Sequence, residues 1–279
     1  MDSEYIIIKE SFLVVLDYRN ATTCLNSSWN SSVYFEFEDA LQQDDYTIQM
    51  SCSILNFSAS NSIYNINETN NFLSITVSSF EQYNINIPYG NYNFNTLQSA
   101  IYSIGIGNIK MSLNQSTNII TFTNAIDPLL MINASSTILP VIGGISKTAY
   151  TWETVGNNQV ITMPFQCNFN GVNNINVFLP NLNTRNINSF IKTNSSIIQS
   201  IQVFPYAPQI IFNKTNDYSF AVNQKIIDYI QIDIKDDLER FINFNNASWN
   251  LTLCFTLMKE IPRNLDSFHS ILRNGYNTN

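Results

Sequence analysis

The sequence predicts an all-β protein made of two jelly-roll-like β-sandwich domains, with one short helix in the first. Three observations predict it. Segments rich in Ile, Val, Phe and Tyr recur at a spacing of about 8–15 residues, between turns rich in Asn, Pro and Gly. Several of them alternate apolar and polar side chains with a period of two, which puts one face of a strand in a core. Helices between the strands, which a parallel α/β sheet would require, are missing from the pattern.

In order along the chain, residues 5–8 and 12–18 read as strands parted by Lys9, Glu10 and Ser11. Residues 33–38 place Val33, Phe35 and Phe37 on one face, and 46–56 continue the alternation with Tyr46, Ile48 and Met50. Residues 62–66 and 72–77 flank Asn67-Glu-Thr-Asn-Asn71 and read as a hairpin. A strand at 83–87 stops at Pro88-Tyr-Gly90, and a helix follows over 95–104. Asn95 is its expected N-cap, Leu97, Ala100, Ile101 and Ile104 form its apolar face, and Gly105 ends it. Residues 109–113 and 118–123 predict a hairpin over Asn114-Gln-Ser-Thr117, and 129–132 with the loop 139–145 close the first half. The second half offers short strands at 160–163, 175–179, 197–204, 210–213, 219–222, 229–234 and 241–244, then a long one at 249–258. The expected organisation is a sandwich over 1–145, a second over 146–260, and a C-terminal arm over 261–279.

Composition narrows the function classes. At 279 residues with 44% apolar content the chain can bury a proper core. Charged residues make up only 12%, about half the usual share, whereas 42 positions are Asn. Amides and hydroxyls therefore carry the solubility, and an AT-rich coding sequence would favour the same bias. The net charge is −8 and no basic run occurs, so the footprint of nucleic-acid binding is missing and an anionic membrane surface is disfavoured. No segment approaches the ~18 consecutive apolar residues of a membrane span. Residues 1–20 lack the basic start of a signal peptide. Without that signal, Cys24, Cys52, Cys167 and Cys254 read as buried thiols rather than a disulfide framework. The Asn-x-Ser/Thr triplets at Asn26, Asn56, Asn114 and Asn246 read as unglycosylated.

Groups suited to catalysis are sparse. His269 is the single histidine and stands in the expected arm, and no GxSxG elbow exists to serve it. Gly105-Ile-Gly107-Asn-Ile-Lys110 resembles a phosphate loop only in passing, because its glycines end a helix instead of opening one. Asp233, Asp236, Asp237 and Glu239 form the densest acidic group. Calcium favours such oxygens, but the spacing is not that of an EF-hand and a solvated turn is the plainer account. Asp44 and Asp45 also suit a turn. The chain is thus expected not to be an enzyme, with no catalytic, cofactor-binding or metal-binding residues and no cofactor. Of the aromatic residues, Trp249 is the expected anchor of the last strand, and surplus Tyr and Asn leave a sugar- or protein-docking face open.

Four segments carry a family resemblance: Tyr64-Asn-Ile-Asn followed by Asn70-Asn-Phe-Leu; Ile87-Pro-Tyr-Gly-Asn-Tyr92 running into the helix; Leu139-Pro-Val-Ile-Gly-Gly144; and residues 230–245 closing on Trp249-Asn-Leu-Thr-Leu253. Their order over residues 5–258 resembles minor capsid and penton-type proteins of virophages, polinton-like viruses and giant double-stranded DNA viruses. Gly143-Gly144 departs from the bulky aromatic residue expected beside the first glycine. The resemblance implies a minor capsid or penton-like virion component, assembled in the host cytoplasm. Its implied partners are the major capsid protein, other capsid subunits and further copies of itself. A receptor- or glycan-binding attachment protein is the alternative.

Overall fold

The computed structural model describes residues 5–26, 29–78, 81–103, 109–124, 131–182, 186–188, 193–195, 197–204, 207–214 and 219–262. In chain order the first strands are β1 (Tyr5–Asp17), β2 (Thr23–Cys24), β3 (Ser32–Gln42) and β4 (Thr47–Ser60). Next come β5 (Phe72–Ser78), β6 (Glu81–Asn86), helix α1 (Phe94–Tyr102), β7 (Lys110–Asn114), β8 (Ile119–Asn124) and β9 (Met131–Ile132). The one-turn helix α2 (Leu139–Ile142) precedes β10 (Tyr150–Thr151), β11 (Glu153–Val155) and β12 (Asn158–Thr162). Then follow β13 (Asn174–Phe178), β14 (Asn186–Asn188), β15 (Thr193–Ser195), β16 (Ile197–Gln202), β17 (Gln209–Asn213) and β18 (Phe220–Val222). The long strands β19 (Ile226–Lys235) and β20 (Trp249–Pro262) come last.

The chain divides into two compact units: residues 1–62 with 173–279, and residues 63–172. This is not the linear division at 145 expected from the sequence. β20 pairs with β1 through its whole length, Tyr5 opposite Pro262 and Asp17 opposite Asn250. One domain therefore takes strands from both halves of the chain, and residues 63–172 are inserted between β4 and β13. Pairing across such distances leaves no mark in local composition, and neither junction carries a Gly- or Pro-rich linker.

In the first unit one antiparallel sheet has the order β1-β20-β4-β17, with β18 also on β4, and the other has the order β16-β13-β19-β3-β2. β20 shows why this sequence is a strand. Trp249, Leu251, Leu253, Phe255 and Leu257 are buried, while the residues between them are half exposed. Phe12 of β1 stacks on Phe255 with ring centroids 5.4 Å apart. Trp249 spans the sandwich, stacked on Phe57 of its own sheet at 6.3 Å and edge-on to Phe35 of the other at 6.4 Å. Its indole N–H donates to the Asn30 carbonyl at 2.7 Å, so the polar end of the ring is satisfied where water is absent.

The second unit has two four-stranded antiparallel sheets, β10-β9-β5-β6 and β11-β12-β8-β7. Leu73, Ile75, Ile85, Leu97, Ile101, Ile120, Phe122, Leu139 and Ile142 meet in its core. The N-cap of helix α1 stands two residues earlier than expected. Asn93, not Asn95, is the N-cap, because Thr96 stands at the third helical position and closes a reciprocal capping box. The loop expected at 139–145 contains α2, ended by Gly143 in the left-handed region at φ +93°. It belongs to the core of this unit rather than to a boundary.

Three strand expectations change as well. Lys9–Ser11 does not break β1, because these residues lie in an unbroken register with Thr256–Met258. Residues 62–66 form no hairpin with 72–77. Ile66 bridges Gly90 instead, and β5 pairs with β6. The stretch 241–244 makes only a single bridge, Phe241 to Lys235. The expected hairpin over Asn114 does form as β7 and β8, with the Asn114 carboxamide accepting from the Ser116 and Thr117 N–H groups.

Candidate docking edge

β1 is 13 residues long and stands at the end of its sheet, paired with β20 on one side and with no described strand on the other. Its odd-numbered residues point away from the core, leaving Ile7, Leu13 and Val15 59%, 59% and 69% exposed. Across the sheet this face continues through Thr256, Cys254 and Thr252 of β20, which lie opposite Ser11, Leu13 and Val15. The hydroxyls of Ser11 and Thr256 are 3.0 Å apart on it. Ser51 of β4, half exposed, extends the Ser11–Thr256 row, whereas Ser53 beside Cys254 is buried. The result is a surface of hydroxyls bordered by a strand with exposed apolar side chains and no described strand on its outer side. Proteins usually blunt long edges with charge or proline, and here only Lys9, Glu10 and Asp17 carry charge.

One charged group fastens this edge. Lys259 on β20 contacts Glu10 of β1 at 2.6 Å and Asp44 of the β3–β4 turn at 2.7 Å. Burial alone would raise the Asp44 carboxyl, but the Lys259 ammonium and the Thr47 hydroxyl outweigh it and hold Asp44 below the usual carboxylate value. For Lys259 burial works downward, and the two carboxylates overcome it and raise the ammonium. With a depressed folded value, the stabilisation by Asp44 is complete above 3.8 and is lost as pH falls through that lower value. The elevated Lys259 contributes fully below 10.5 and loses its contribution as pH rises through its folded value. Both carboxylates are well exposed, so screening keeps the effect small. Lys259→Met is expected to lower stability by about 0.5–1 kcal/mol, less in high salt, and urea titrations at several pH values and salt concentrations measure it.

The acidic turn at 233–239 is organised around protein donors. Asp236 is buried and accepts from the Leu238 and Arg240 N–H groups at 2.9 Å each and from Arg240 Nε at 2.8 Å. Asp233 accepts from the Ser32 hydroxyl at 2.7 Å and lies 3.7 Å from Lys235 Nζ. That ammonium also sits over the Phe178 and Phe241 rings, 4.9 and 4.7 Å from their centroids. Asp237 accepts from Asn174 Nδ2 at 3.0 Å. Asp233, Asp236 and Asp237 thus hold a turn together, and no cluster of three or more metal-ligating side chains forms among the described residues.

The remaining sequence candidates fall elsewhere. All four cysteines are free thiols. Only Cys52 is fully buried, and burial pushes its thiol far above the usual range, whereas Cys24, Cys167 and Cys254 are half exposed. His269, most of the 261–279 arm and residues 105–108 of the glycine stretch lie outside the described residues. The exposure of this edge is not legible in the sequence, which assigns Ile7, Leu13 and Val15 to half-buried strands. Their exposure is decided by the position of β1 at the rim.

Fold and edge together define an all-β, jelly-roll-like class of chain, with few helices and antiparallel sheets throughout. Among solved structures the chain is similar to the mavirus penton protein, at 10% identity and a TM-score of 0.46, over 93% of this chain and all of that one. It is also similar to a chain of the Sputnik virophage seen by cryo-EM at 3.5 Å, at 13% identity and a TM-score of 0.41, over 89% of this chain and 97% of that one. No family model matches the sequence, and neither does any curated protein. Neither identity is high enough to carry a residue's role from one chain to the other.

Proposed function

We propose that this chain is a non-catalytic structural protein of a virion, a minor capsid or penton-like component that cements or caps the major capsid lattice. The observation that carries the reading is the free edge of β1. A 13-residue strand that leaves Ile7, Leu13 and Val15 in water offers both backbone groups and apolar surface to a neighbouring subunit. Acidic net charge and low charge density suit the same role, since they keep free subunits apart while leaving contact faces uncharged. The order of the four sequence segments described above supports the virion assignment. The penton and virophage names of the two solved neighbours belong to the same class of protein. The partners in this reading are the major capsid protein, other capsid subunits and further copies of the chain, with assembly in the host cytoplasm.

The test places Lys at positions 7 and 15 together (I7K/V15K). Both side chains point to solvent, so the folded chain is expected to retain its circular dichroism and its unfolding free energy within about 0.5 kcal/mol. Co-sedimentation with shells of the major capsid protein is expected to be lost. A variant that co-sediments like the unmodified chain overturns the docking edge. An unmodified chain absent from purified particles overturns the virion role.

A further inference from the structure

Outside the docking edge, the segment that closes the second unit combines a reactive sequence with an unprotected geometry. We propose that Asn170 and Gly171 form a site of spontaneous covalent modification, at which the asparagine converts to isoaspartate and aspartate. The argument begins with why glycine stands at 171. Its φ is +71°, and a Cβ there would lie 3.1 Å from the Asn65 Cβ and 3.3 Å from the Asn65 Cα. A side chain is therefore refused on two counts, backbone conformation and space. The residue after Asn170 is consequently the one that least obstructs attack on the asparagine side chain.

The reacting groups are unprotected. Asn170 is exposed, and among the described residues its carboxamide has no hydrogen-bond partner, nor does the Gly171 N–H. The Asn170 N–H donates to Asn168 Oδ1 at 3.0 Å, which fixes the backbone before the site without occupying the carboxamide. In the reaction the Gly171 nitrogen attacks Asn170 Cγ, a C–N bond forms, and ammonia leaves with the nitrogen's proton. The resulting succinimide takes up one water at either carbonyl. Opening at one carbonyl gives aspartate and at the other isoaspartate. No oxidant or cofactor is needed.

The position gives the change a structural consequence. Asn65 ties this segment to the stretch before α1, donating from Nδ2 to the Phe169 carbonyl at 2.7 Å and to the Tyr92 carbonyl at 2.6 Å. It also accepts the Tyr92 N–H at 2.8 Å. Isoaspartate at 170 adds a backbone methylene between Phe169, which Asn65 binds, and Gly171, which packs on Asn65. The clamp then no longer fits, and the modification acts as a one-way timer on the closure of the second unit.

The experiment ages the full-length protein in mildly alkaline buffer and follows it by peptide mapping and enzymatic methylation of isoaspartyl carboxylates. The expected result is an amide-to-acid mass gain at Asn170, ahead of exposed Asn168, which precedes Phe169. Isoaspartyl methylation in that peptide is expected to be lost entirely in Asn170→Gln. Hydrogen exchange at the Tyr92 amide is expected to rise with the isoaspartate fraction in the aged protein and to stay low in fresh Asn170→Asp, which carries the charge without the methylene. An Asn170 still intact when an isolated peptide of residues 165–175 has fully converted overturns the site. Unchanged Tyr92 exchange in fully converted protein overturns the timer.

Discussion

Replacing Trp249 with alanine is expected to lower unfolding free energy by about 3–5 kcal/mol, the largest loss among single substitutions in the first unit. The ring is fully buried, joins the two sheets through Phe57 and Phe35, and carries the bond to the Asn30 carbonyl. Alanine removes all three links and leaves a cavity between sheets that cannot collapse without moving β20. Trp249→Phe separates the contributions. It keeps most of the stacking but strands a buried carbonyl, which costs about 1–3 kcal/mol. Urea unfolding followed by far-ultraviolet circular dichroism measures both. A loss below about 1 kcal/mol for the alanine variant would show that Trp249 does not join the sheets.

Gly143→Ala is the second large effect, this time in the inserted unit. A non-glycine residue in the left-handed region costs about 1–2 kcal/mol on backbone grounds alone. Here the added Cβ would also meet the Phe165 carbonyl oxygen at 2.1 Å, well inside contact distance. That carbonyl belongs to backbone tied to Gly143 by the Phe165 N–H, which donates to the Gly143 carbonyl at 3.0 Å, so it cannot simply turn aside. The expected total is about 3 kcal/mol or more, with the thermal midpoint falling by several degrees. Gly144→Ala is the comparison. Its Cβ would meet the Leu139 and Tyr150 side chains at 3.0–3.2 Å, which can shift by tenths of an ångström, so a milder loss is expected.

These glycines also show where reading the sequence succeeds. Local chemistry was legible: the period of two in β20, Trp249 as its anchor, the Asn114 hairpin and a helix just before residue 105 could all be read from neighbouring residues. Asn95 is the expected cap, and the reciprocal pairing of Asn93 with Thr96 is what moves the cap to Asn93. Partnerships across long stretches of chain were not legible. Nothing near Ser62 or Asn173 announces that a separate unit begins and ends between them, because both junctions are as rich in Asn and Ser as the loops elsewhere. The acidic turn was legible as a turn, but its cohesion depends on Ser32 and Asn174, far away in sequence. The exposed edge of β1 depends on strand order, which the period of two does not encode.

That strand order sets a timetable for synthesis. β20 lies between β1 and β4, so this lane of the sheet is filled by a strand made well after both of its neighbours. About two hundred residues separate the end of β4 from the end of β20, or on the order of 10–40 s of translation at common rates. Throughout that interval β1 and β4 lack the strand that lies between them, while residues 63–172 are contiguous and can complete their own core. A nascent chain arrested before residue 249 should therefore expose apolar strand edges to chaperones and to other nascent copies. The yield of folded protein would then be limited by how safely β1 and β4 wait for β20.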